Sequence, residues 1–451
     1  MIERQPDMRG NITIVDIEAL VPQDHLLRKI EAAVDFNKIY PMVEEYYSKD
    51  TGRPSVDPVI LFKMAFIQHL YGIRSMRQTV KEIEVNVAYR WFLHYDFSTP
   101  VPHFATVSYA FANRFPADVF ENIFKWILDE ICQKKFLRPE VLFVDGTHIK
   151  ANANKKKNYK KMIDQNTQAY AQKLREEVDK DREEHDKKPL KDKDDGDNDN
   201  TSSPKQKEIT VSTTDPESGL FHKGEHKVVF AYSANTACDA NNYVVDFNLV
   251  PGNINDSTSF DGLYERLKNR FAELTTIVAD AGYKTPWICK QVIDDGKELI
   301  STYTSPKGNK DMFRSKDFVY DEYNDWVICP NNAELRYSTT NREGRKVFKS
   351  NPAVCSHCPL RAKCTSSKNF QKVVEIHVWQ HYLEQVEELR YTARGKELYH
   401  KRQETIERVF ADGKEKHGMR YTLYKGLDRV NKWLRLKFAA MNLKKMALRM
   451  A

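Results

Sequence analysis

The sequence has no long uninterrupted hydrophobic run. Its most apolar early stretch, "PVILFKMAFIQHLYGI", is interrupted by Lys63 and His69, and the first residues, "MIERQPDMRGN", lack the apolar segment that a secretion signal needs. A membrane-spanning helix needs about 20 consecutive, predominantly apolar residues. We therefore expect neither a signal peptide nor contact with a membrane, and we expect a cytoplasmic protein.

Cysteine is also scarce, with 7 residues in a chain of 451. An odd number in a long chain without a secretion signal argues against a disulfide framework. The frame "CP…CSHCPLRAKC" has the spacing of a tetrahedral metal site, which favours one structural Zn²⁺ over four unrelated thiols. Its ligands would be Cys329, Cys355, Cys358 and Cys364. The remaining Cys132, Cys238 and Cys289 lie in apolar contexts and are expected in the core.

Positive charge is concentrated at one end of the chain. The formal net charge is +7, yet residues 388–451 alone contain 17 Lys and Arg against 7 Asp and Glu. The basic residues alternate with Tyr and Trp in "RYTLYKGLDRVNKWLRLK", which favours a polyanion such as nucleic acid as partner. An ordinary solvated helix face is the alternative.

The first 138 residues have a helical pattern throughout. "DPVILFKMAFIQHLYGI" is typical of a buried helix, and "SMRQTVKEIEVNVAYRWFL" begins at a plausible N-cap, Ser75. The two helices joined at "GIRS" have the outline of a helix-turn-helix, in which Arg74, Arg77 and Lys81 could meet phosphates. A plain helical bundle fits the pattern equally well.

Short apolar strands follow, and two of them end in an acid. "VLFVDGTHIKAN" predicts a buried strand that delivers Asp145 to the rim of a sheet, and "LTTIVADAGY" predicts a second one that ends at Asp280. His148, Lys150 and Asn152 follow the first acid and could line a DNA channel or simply lie on the surface.

Between these two strands the pattern changes several times. A charged insertion begins as a helix and, from Pro189 to Lys207, has almost no apolar residues, which predicts disorder. Two strands, "HKVVFAYSANT" and "NYVVDFNLVPGN", precede the amphipathic helix "DSTSFDGLYERLKNRF", whose cap we expect at Asp256 or Ser257. The order of elements predicts an RNase H-like α/β core: a mixed sheet flanked by helices, with Asp145 and Asp280 at one edge.

The last helical segment offers a third acid. In "RQETIERVFADGK" the residues Ile406, Val409, Phe410 and Gly413 fall on one helical face that should pack on the sheet. Glu407 lies at the flank of this face and could reach the sheet edge. Glu404 lies almost opposite the face and should point to solvent.

Five motifs together resemble one known family. They are "VDGTHIKANANK", "PGNINDS", "IVADAGY", "ETIERVFADGK" and "FAAMNLKKMA", and the helical stretch around "DPVILFKMAF" is similar to the domain that precedes the family's catalytic core. In this combination and order they resemble the DDE transposases of bacterial insertion sequences, in the branch with an insert before the catalytic Glu.

The resemblance implies a catalytic triad of Asp145, Asp280 and Glu407 that binds two Mg²⁺ or Mn²⁺ ions. It matches Lys414, seven residues after Glu407, to a lysine that contacts the transposon end. The family signature Tyr-x2-Arg-x3-Glu-x6-Lys would place Tyr and Arg at His400 and Gln403. Here the Tyr and Arg are offset by one residue, at Tyr399 and Arg402.

The resemblance also implies the domain organisation and the function. We expect a helical DNA-binding or dimerisation domain (1–138), a first core part (139–305, with a charged insertion at 156–208), a Cys-containing insertion (306–385), and a second core part with a basic end (386–451). The protein would cleave the inverted repeats at the ends of its element and join them to target DNA, as a homodimer on DNA. An inactive or domesticated DNA-binding protein and a nuclease without strand transfer are the alternatives.

Overall fold

The computed structural model describes residues 14–48, 55–164, 168–190, 206–223, 227–302 and 311–450, and its first part is entirely helical up to residue 133. Within the described residues, no helix is both long and apolar enough to cross a membrane. The N-terminal helices are α1 (Ile17–Leu20), α2 (Leu26–Ala33), α3 (Tyr40–Val43), α4 (Pro58–Leu70), α5 (Met76–Val85), α6 (Val87–Phe92), α7 (Phe104–Tyr109) and α8 (Ala117–Gln133).

Helix α4 forms the centre of this bundle. Asp57 caps it by accepting a hydrogen bond from the Val59 amide at 2.8 Å, and Pro58 occupies the first position, where its missing N–H is not needed. Nearly all its residues are buried, as expected for a helix that is apolar on every side. The one lysine in it, Lys63, is 2% exposed and pairs with Glu31 at 2.8 Å.

Within the described residues, the main sheet has eight strands, which follow the bundle in the sequence. They are β1 (Val141–Lys150), β2 (Asn158–Asp164), β3 (Gln206–Ser212), β4 (Gly219–Lys223), β5 (Lys227–Asp239), β6 (Val244–Pro251), β7 (Thr276–Ala279) and β8 (Glu298–Ile300). The strand order is β2-β3-β4-β5-β1-β7-β8, with β6 paired to β5; β1 runs parallel to β7 and β7 to β8, and the other pairs are antiparallel.

Helices flank this mixed sheet. Those inside the strand order are α9 (Gln168–Glu184), α10 (Asp256–Arg270) and α11 (Pro286–Asp294). Those at the end of the chain are α14 (Gln380–Tyr391), α15 (Ala393–Lys401), α16 (Ile406–Glu415) and α17 (Leu427–Met450). Helix α10 packs on β5 and β6, and α16 packs on β1 and β5. Helices therefore cover the inner strands of the sheet, most of whose residues are buried.

Helix α17 joins the N-terminal bundle to the sheet. It packs against α2, α4 and α8 and also against β6. Three of its cations, Lys432, Arg435 and Lys437, are buried, and Arg435 pairs with Asp246 and Glu121 at 2.7 Å each. These three cations of the basic run are therefore internal and not available to a polyanion, whereas most of the Lys and Arg of residues 388–451 remain partly or fully exposed.

A second sheet of five antiparallel strands, in the order β13-β12-β11-β10-β9, lies between the main sheet and α14 in the sequence. Its buried apolar core consists of five residues, among them Phe348 and Val327, so it is small. Its elements are β9 (Val319–Asp321), β10 (Trp326–Ile328), β11 (Glu334–Thr340), β12 (Arg345–Ser350), α12 (Pro352–Ser356), α13 (Arg361–Cys364) and β13 (Val373–His377).

Helix α9 packs against this second sheet. Its Asp181, which is 6% exposed, binds Lys346 of β12 at 2.6 Å, and its Leu174 and Val178 pack with Trp379. The charged segment thus has a buried face, which its sequence did not indicate. The disorder expected from Pro189 to Lys207 falls mostly on 191–205, which lies outside the described residues.

Candidate active site

Two aspartates lie next to each other at one edge of the main sheet. The parallel pairing of β1 with β7 ends at Val144 and Ala279, and Asp145 and Asp280 are the next residues along the two strands. Asp280 Oδ1 accepts a hydrogen bond from the Gly282 amide at 2.7 Å, which caps the short turn that follows β7. The register therefore brings together the two acids that the strand patterns indicated.

Asp145 lies within its strand and not at the end, since β1 continues for five residues in its pairing with β5. Its Oδ1 accepts the Gly146 amide at 2.8 Å, and its Oδ2 lies 2.8 Å from Arg402 Nη2. Burial raises the pKa of Asp145 to about 6; Arg402 and the Gly146 amide oppose the rise, and the charges of Asp280 and Asp256 add to it. Asp145 is thus a partly desolvated carboxylate with two acidic neighbours and one cationic partner.

The partner, Arg402, is itself buried, with a side chain 6% exposed. Its Nη1 donates to the Tyr399 hydroxyl at 3.2 Å, so Tyr399 supports the guanidinium. Arg402 begins a short 3₁₀ turn, and Thr405, with φ −110° and ψ −98°, separates this turn from α16. The four residues between Arg402 and Glu407 are one more than in the resembling signature, and the break at Thr405 provides room for the additional residue.

A third acid, Asp256, lies beside Asp145, and the sequence interpretation of it was wrong. The N-cap of α10 is Asn255, without a side-chain cap, and Asp256 is the first residue of the helix. Its Oδ1 accepts a hydrogen bond from Ser233 Oγ on β5 at 3.1 Å. Burial raises the pKa of Asp256, and the charge of Asp280 contributes to the rise. The local sequence favoured Asp256 as the N-cap of the helix. The position of Asp256 near β1 could not be seen there, because it depends on how α10 packs against the sheet.

Glu407 lies in the first turn of α16, with an exposed side chain. The helix buries Ile406, Val409, Phe410 and Gly413, the stripe that the sequence indicated. Lys414 lies near the Phe410 ring, with Nζ 5.8 Å from the centroid. Glu404 is also exposed, but it belongs to the 3₁₀ turn before α16. The two glutamates therefore do not lie on one continuous helix, and the angle between them cannot be read from a single helical wheel.

The residues after Asp145 on β1 have separate surroundings. His148 stacks on Phe221 with ring centroids 3.5 Å apart, and both line a cavity of about 450 Å³ that Asp256 also borders. The exposed Lys150 donates its backbone amide to the Arg420 carbonyl at 3.1 Å, beside α16. His148 thus lies near Asp256, whereas Lys150 lies farther along β1, next to Arg420.

The predicted helix-turn-helix outline corresponds to α4 and α5 within the helical bundle. Ser75 caps α5 by accepting the Gln78 amide at 3.2 Å, as expected, and Arg74 and Arg77 are exposed beside it. The turn packs on the segment after α16: a Cβ placed on Gly72 would lie 2.6 Å from the Lys416 carbonyl oxygen. The N-terminal bundle is therefore in direct contact with the segment that follows the helix carrying Glu407.

All seven cysteines are free thiols. Cys238 and Cys289 are buried as expected, whereas Cys132 is exposed, so its assignment to the core was wrong. Burial raises the pKa of Cys364, and the thiols of Cys329, Cys355 and Cys358 add to the rise, which places the four near one another in the second sheet. Within the described part of the chain, no three His, Cys, Asp or Glu side chains already surround one point as metal ligands.

Comparisons with known families match two regions of the chain. Residues 15–113 match a model described as a transposase domain, and residues 328–447 match one described as a transposase DDE domain. No curated protein is significantly similar to the chain. The second match includes Arg402, Glu407 and the four clustered cysteines, and the first covers most of the N-terminal bundle. The two matches support a DDE transposase of the insertion-sequence type, and a transposase DDE domain implies an RNase H-like fold.

Proposed function

We propose that this transposase cuts DNA at the ends of its insertion sequence in a metal-dependent reaction and joins those ends to target DNA. The observation that carries the proposal is the register that sets Asp145 beside Asp280. Phosphodiester transfer depends on carboxylates that hold hard divalent cations, and the paired strands β1 and β7 supply two such carboxylates side by side where their pairing ends.

The donor set fits Mg²⁺ or Mn²⁺. Asp145 is largely buried and has two acidic neighbours, so its ionised form needs a cation nearby, and oxygen donors select hard cations over soft ones. Asp145, Asp280 and Glu407 would hold the metal. When bound, two such ions activate a water or a 3′-hydroxyl and stabilise the leaving oxygen.

Arg402 has a place in this chemistry. In the described structure it is the cation that neutralises Asp145, and its buried Nε has no hydrogen-bond partner among the described residues. An arginine with a spare donor beside a catalytic carboxylate can bind a phosphate oxygen of the strand being cut. Tyr399 would keep the guanidinium in place through its hydroxyl.

The remaining DNA contacts would come from cations that are at least partly exposed to solvent. Lys414 follows Glu407 by seven residues on α16, so both lie on nearly the same side of the helix. Lys150 lies beyond Asp145 on β1, and Arg74 and Arg77 lie at the start of α5. Such phosphate contacts position the DNA and make binding weaken steeply with salt. Because two element ends must be joined in one reaction, we expect a homodimer on DNA.

We also infer a structural Zn²⁺ in the second sheet. Five buried apolar residues form its core in the described part of the chain, and small units of this kind usually need a metal or disulfides for stability. Cys329 and Cys364 both pack against this core, and Cys355 and Cys358 lie close to Cys364. Four thiolates form a closed site without an open position, so the role would be structural.

The test is an assay of end cleavage and of joining with pre-cleaved ends, in Mg²⁺. Asp145→Asn and Asp280→Asn should abolish both reactions and leave end binding largely intact, because phosphate contacts supply most of the affinity. Asp261→Asn, which changes a partly buried carboxylate on α10 that binds Trp287, is the matched control and should remain active.

Three results separate the alternatives. Cleavage without joining by the wild-type protein would indicate a nuclease, and binding without cleavage would indicate a DNA-binding protein of the same fold. Full activity of either Asn variant would contradict the assignment of the two aspartates.

A further inference from the structure

Helix α7 and the turn that follows it form a segment without acidic residues. Residues 97–117 contain no Asp or Glu, although the whole chain has 64 in 451 residues, so about three would be expected there. The segment is helical from Phe104 to Arg114, because a π-helical turn (Ala110–Arg114) continues α7. Such turns are rare and often occur at functional sites. A phosphate backbone would meet no negative charge from this segment.

The exposed side of this segment carries three polar side chains, Thr106, Tyr109 and Asn113. Their spacing of three and four residues places them on one side of the helix, whereas Val107 and Ala110 are buried. Among the described residues, no hydrogen bond or ion pair involves these three polar side chains. The outer faces of surface helices are usually charged, and this one instead carries neutral groups that can donate and accept hydrogen bonds.

Two exposed arginines lie along one edge of this face. The guanidinium of Arg77 on α5 lies 4.4 Å from the ring centroid of Phe104, the first residue of α7. One turn further along α7, Ser108 lines a small cavity of about 40 Å³ together with Arg429, which lies near the start of α17. Two cations beside a neutral polar helix face match the charge of a phosphate backbone that borders a groove.

Helix α5, which precedes this segment, is less suited to a groove. Its outer side combines Arg77 and Lys81 with the exposed Glu84 and the partly exposed Glu82, and Gln78 Nε2 donates to Glu82 Oε1 at 3.2 Å. A duplex along the whole of α5 would bring phosphates next to these carboxylates. Only the first turn of α5 has no acid, so its contribution would be a phosphate contact by Arg77.

We propose that α7 and its π-helical turn read the base sequence at the ends of the insertion sequence, through Thr106 and Asn113 in the major groove. Arg77 and Arg429 bind phosphates beside the groove. An asparagine amide can pair with adenine, and a threonine offers a hydroxyl to base edges and a methyl group to thymine. The inference rests on the proposed function, because it takes the end of the element as the DNA that is bound. It assigns sequence reading to α7 and not to α5, the second helix of the predicted helix-turn-helix.

The experiment measures the binding of two DNA duplexes to the full chain by fluorescence anisotropy, without added Mg²⁺. One duplex is the inverted repeat that flanks the gene, and the other has the same base composition in scrambled order. Thr106→Ala and Asn113→Ala should each raise the dissociation constant for the repeat at least about fivefold, because each removes a base contact. Both variants should bind the scrambled duplex like the wild type, which also shows that they fold.

Two further sets of variants separate base reading from phosphate binding. Arg77→Gln and Arg429→Gln should weaken the binding of both duplexes by similar factors, and each should lower the slope of the salt dependence by about one. Gln78→Ala changes an exposed polar residue on α5 and is the matched control. It should bind both duplexes like the wild type.

The outcomes distinguish failure of this inference from failure of the proposed function. If Thr106→Ala and Asn113→Ala keep the wild-type preference for the repeat, α7 does not read the sequence, and the inference is overturned while the proposed function stands. A loss of this preference in Gln78→Ala alone would assign the reading to α5 and also overturn it. If the wild type does not prefer the repeat, the proposed function is itself wrong.

A second measurement tests the other partner that this face could have, a second copy of the chain. Sedimentation of the DNA-free protein should be the same for the wild type, Thr106→Ala and Asn113→Ala. A changed association state together with an unchanged preference for the repeat would make the face a contact between protomers, which contradicts the inference.

Discussion

Arg402 Nη2 lies 2.8 Å from Asp145 Oδ2, and both side chains are largely withdrawn from water, at 6% and 21% exposed. Arg402, which the family resemblance implies as a DNA contact, is thus also the counter-ion of the carboxylate that we propose as catalytic. A cation in this position must compete with any metal ion for the same oxygen.

We predict that Arg402→Gln destabilises the metal-free protein. Removing one partner of a buried ion pair costs about 3–5 kcal/mol, and the 21% exposure of Asp145 should bring the cost below that range. The measurement is urea unfolding in EDTA. In the Asp145→Asn variant the arginine has already lost its charge partner. Adding Arg402→Gln to that variant should therefore lower the free energy of unfolding much less than it does in the wild type. Equal losses in both backgrounds would mean that the two residues are not coupled.

We predict that Glu407→Gln removes end cleavage and that Glu404→Gln has little effect. Glu407 lies in the first turn of α16, which the buried Ile406 and Phe410 hold against the sheet. Glu404 lies on the separate 3₁₀ turn before Thr405, and a single exposed carboxylate there contributes only tenths of a kcal/mol. Both variants are assayed side by side on end DNA in Mg²⁺; the reverse ranking would show that the wrong glutamate was assigned.

We predict about one zinc per chain in protein purified without chelator. Cys355→Ser should lose this zinc and lower the melting temperature, because the small core of the second sheet then lacks its metal. Cys132→Ser, which changes an exposed thiol outside this sheet, is the control and should keep both. Metal-free wild-type protein together with normal folding of Cys355→Ser would rule the site out.

We predict that Lys437 makes stability rise with pH above neutrality. Burial lowers its pKa to about 7, while an unfolded lysine titrates at about 10.4. Between these values the unfolded chain binds one proton more than the folded chain, so the free energy of unfolding increases with pH. Lys437 donates to the His417 carbonyl and lies near His69, which is also buried.

Urea unfolding between pH 7 and about 9.5 tests this, with Lys437→Met as the variant. Its free energy of unfolding should rise less over this window than that of the wild type. Lys432→Met, on the same helix but paired with Asp428 at 2.9 Å, should retain the wild-type slope. An unchanged slope in Lys437→Met would show that this lysine remains protonated in the fold.

We predict opposite effects for alanine at two glycines. Gly72 has φ +65°, and an added Cβ would meet the Lys416 carbonyl oxygen at 2.6 Å, so Gly72→Ala should destabilise the protein by at least about 1 kcal/mol. Gly262 lies inside α10 with no atom closer than 3.9 Å, so Gly262→Ala should stabilise it by roughly 0.5–1 kcal/mol. Chemical unfolding measures both; equal effects would mean that the contact between the bundle and the segment after α16 is loose.

The elements that could be predicted from the sequence are those that local patterns determine. The apolar runs before Asp145 and Asp280 are short enough to be strands, and parallel pairing then places the two acids at one edge. The apolar stripe of α16 likewise indicated which face would be buried. In each case the periodicity of a few residues contains the information.

The features that could not be predicted depend on residues far apart in the chain. Asp256 had a sufficient local explanation as a cap, and only the packing of α10 against Gly146 brings it to the acidic edge. Arg435 counted as surface charge, yet it pairs with Asp246 and Glu121 from distant elements. Charge counting cannot tell an exposed cation from one that is buried with a partner.

Iron-directed cleavage of the chain tests the central claim most directly. Fe²⁺ can replace Mg²⁺ at oxygen sites and, with ascorbate and peroxide, cuts the nearby backbone. We expect cuts near Asp145 and Asp280 in the wild-type protein, suppressed by excess Mg²⁺ and absent in Asp145→Asn. Cuts confined to other parts of the chain, or unchanged by Asp145→Asn, would contradict the assignment of this edge as the metal centre.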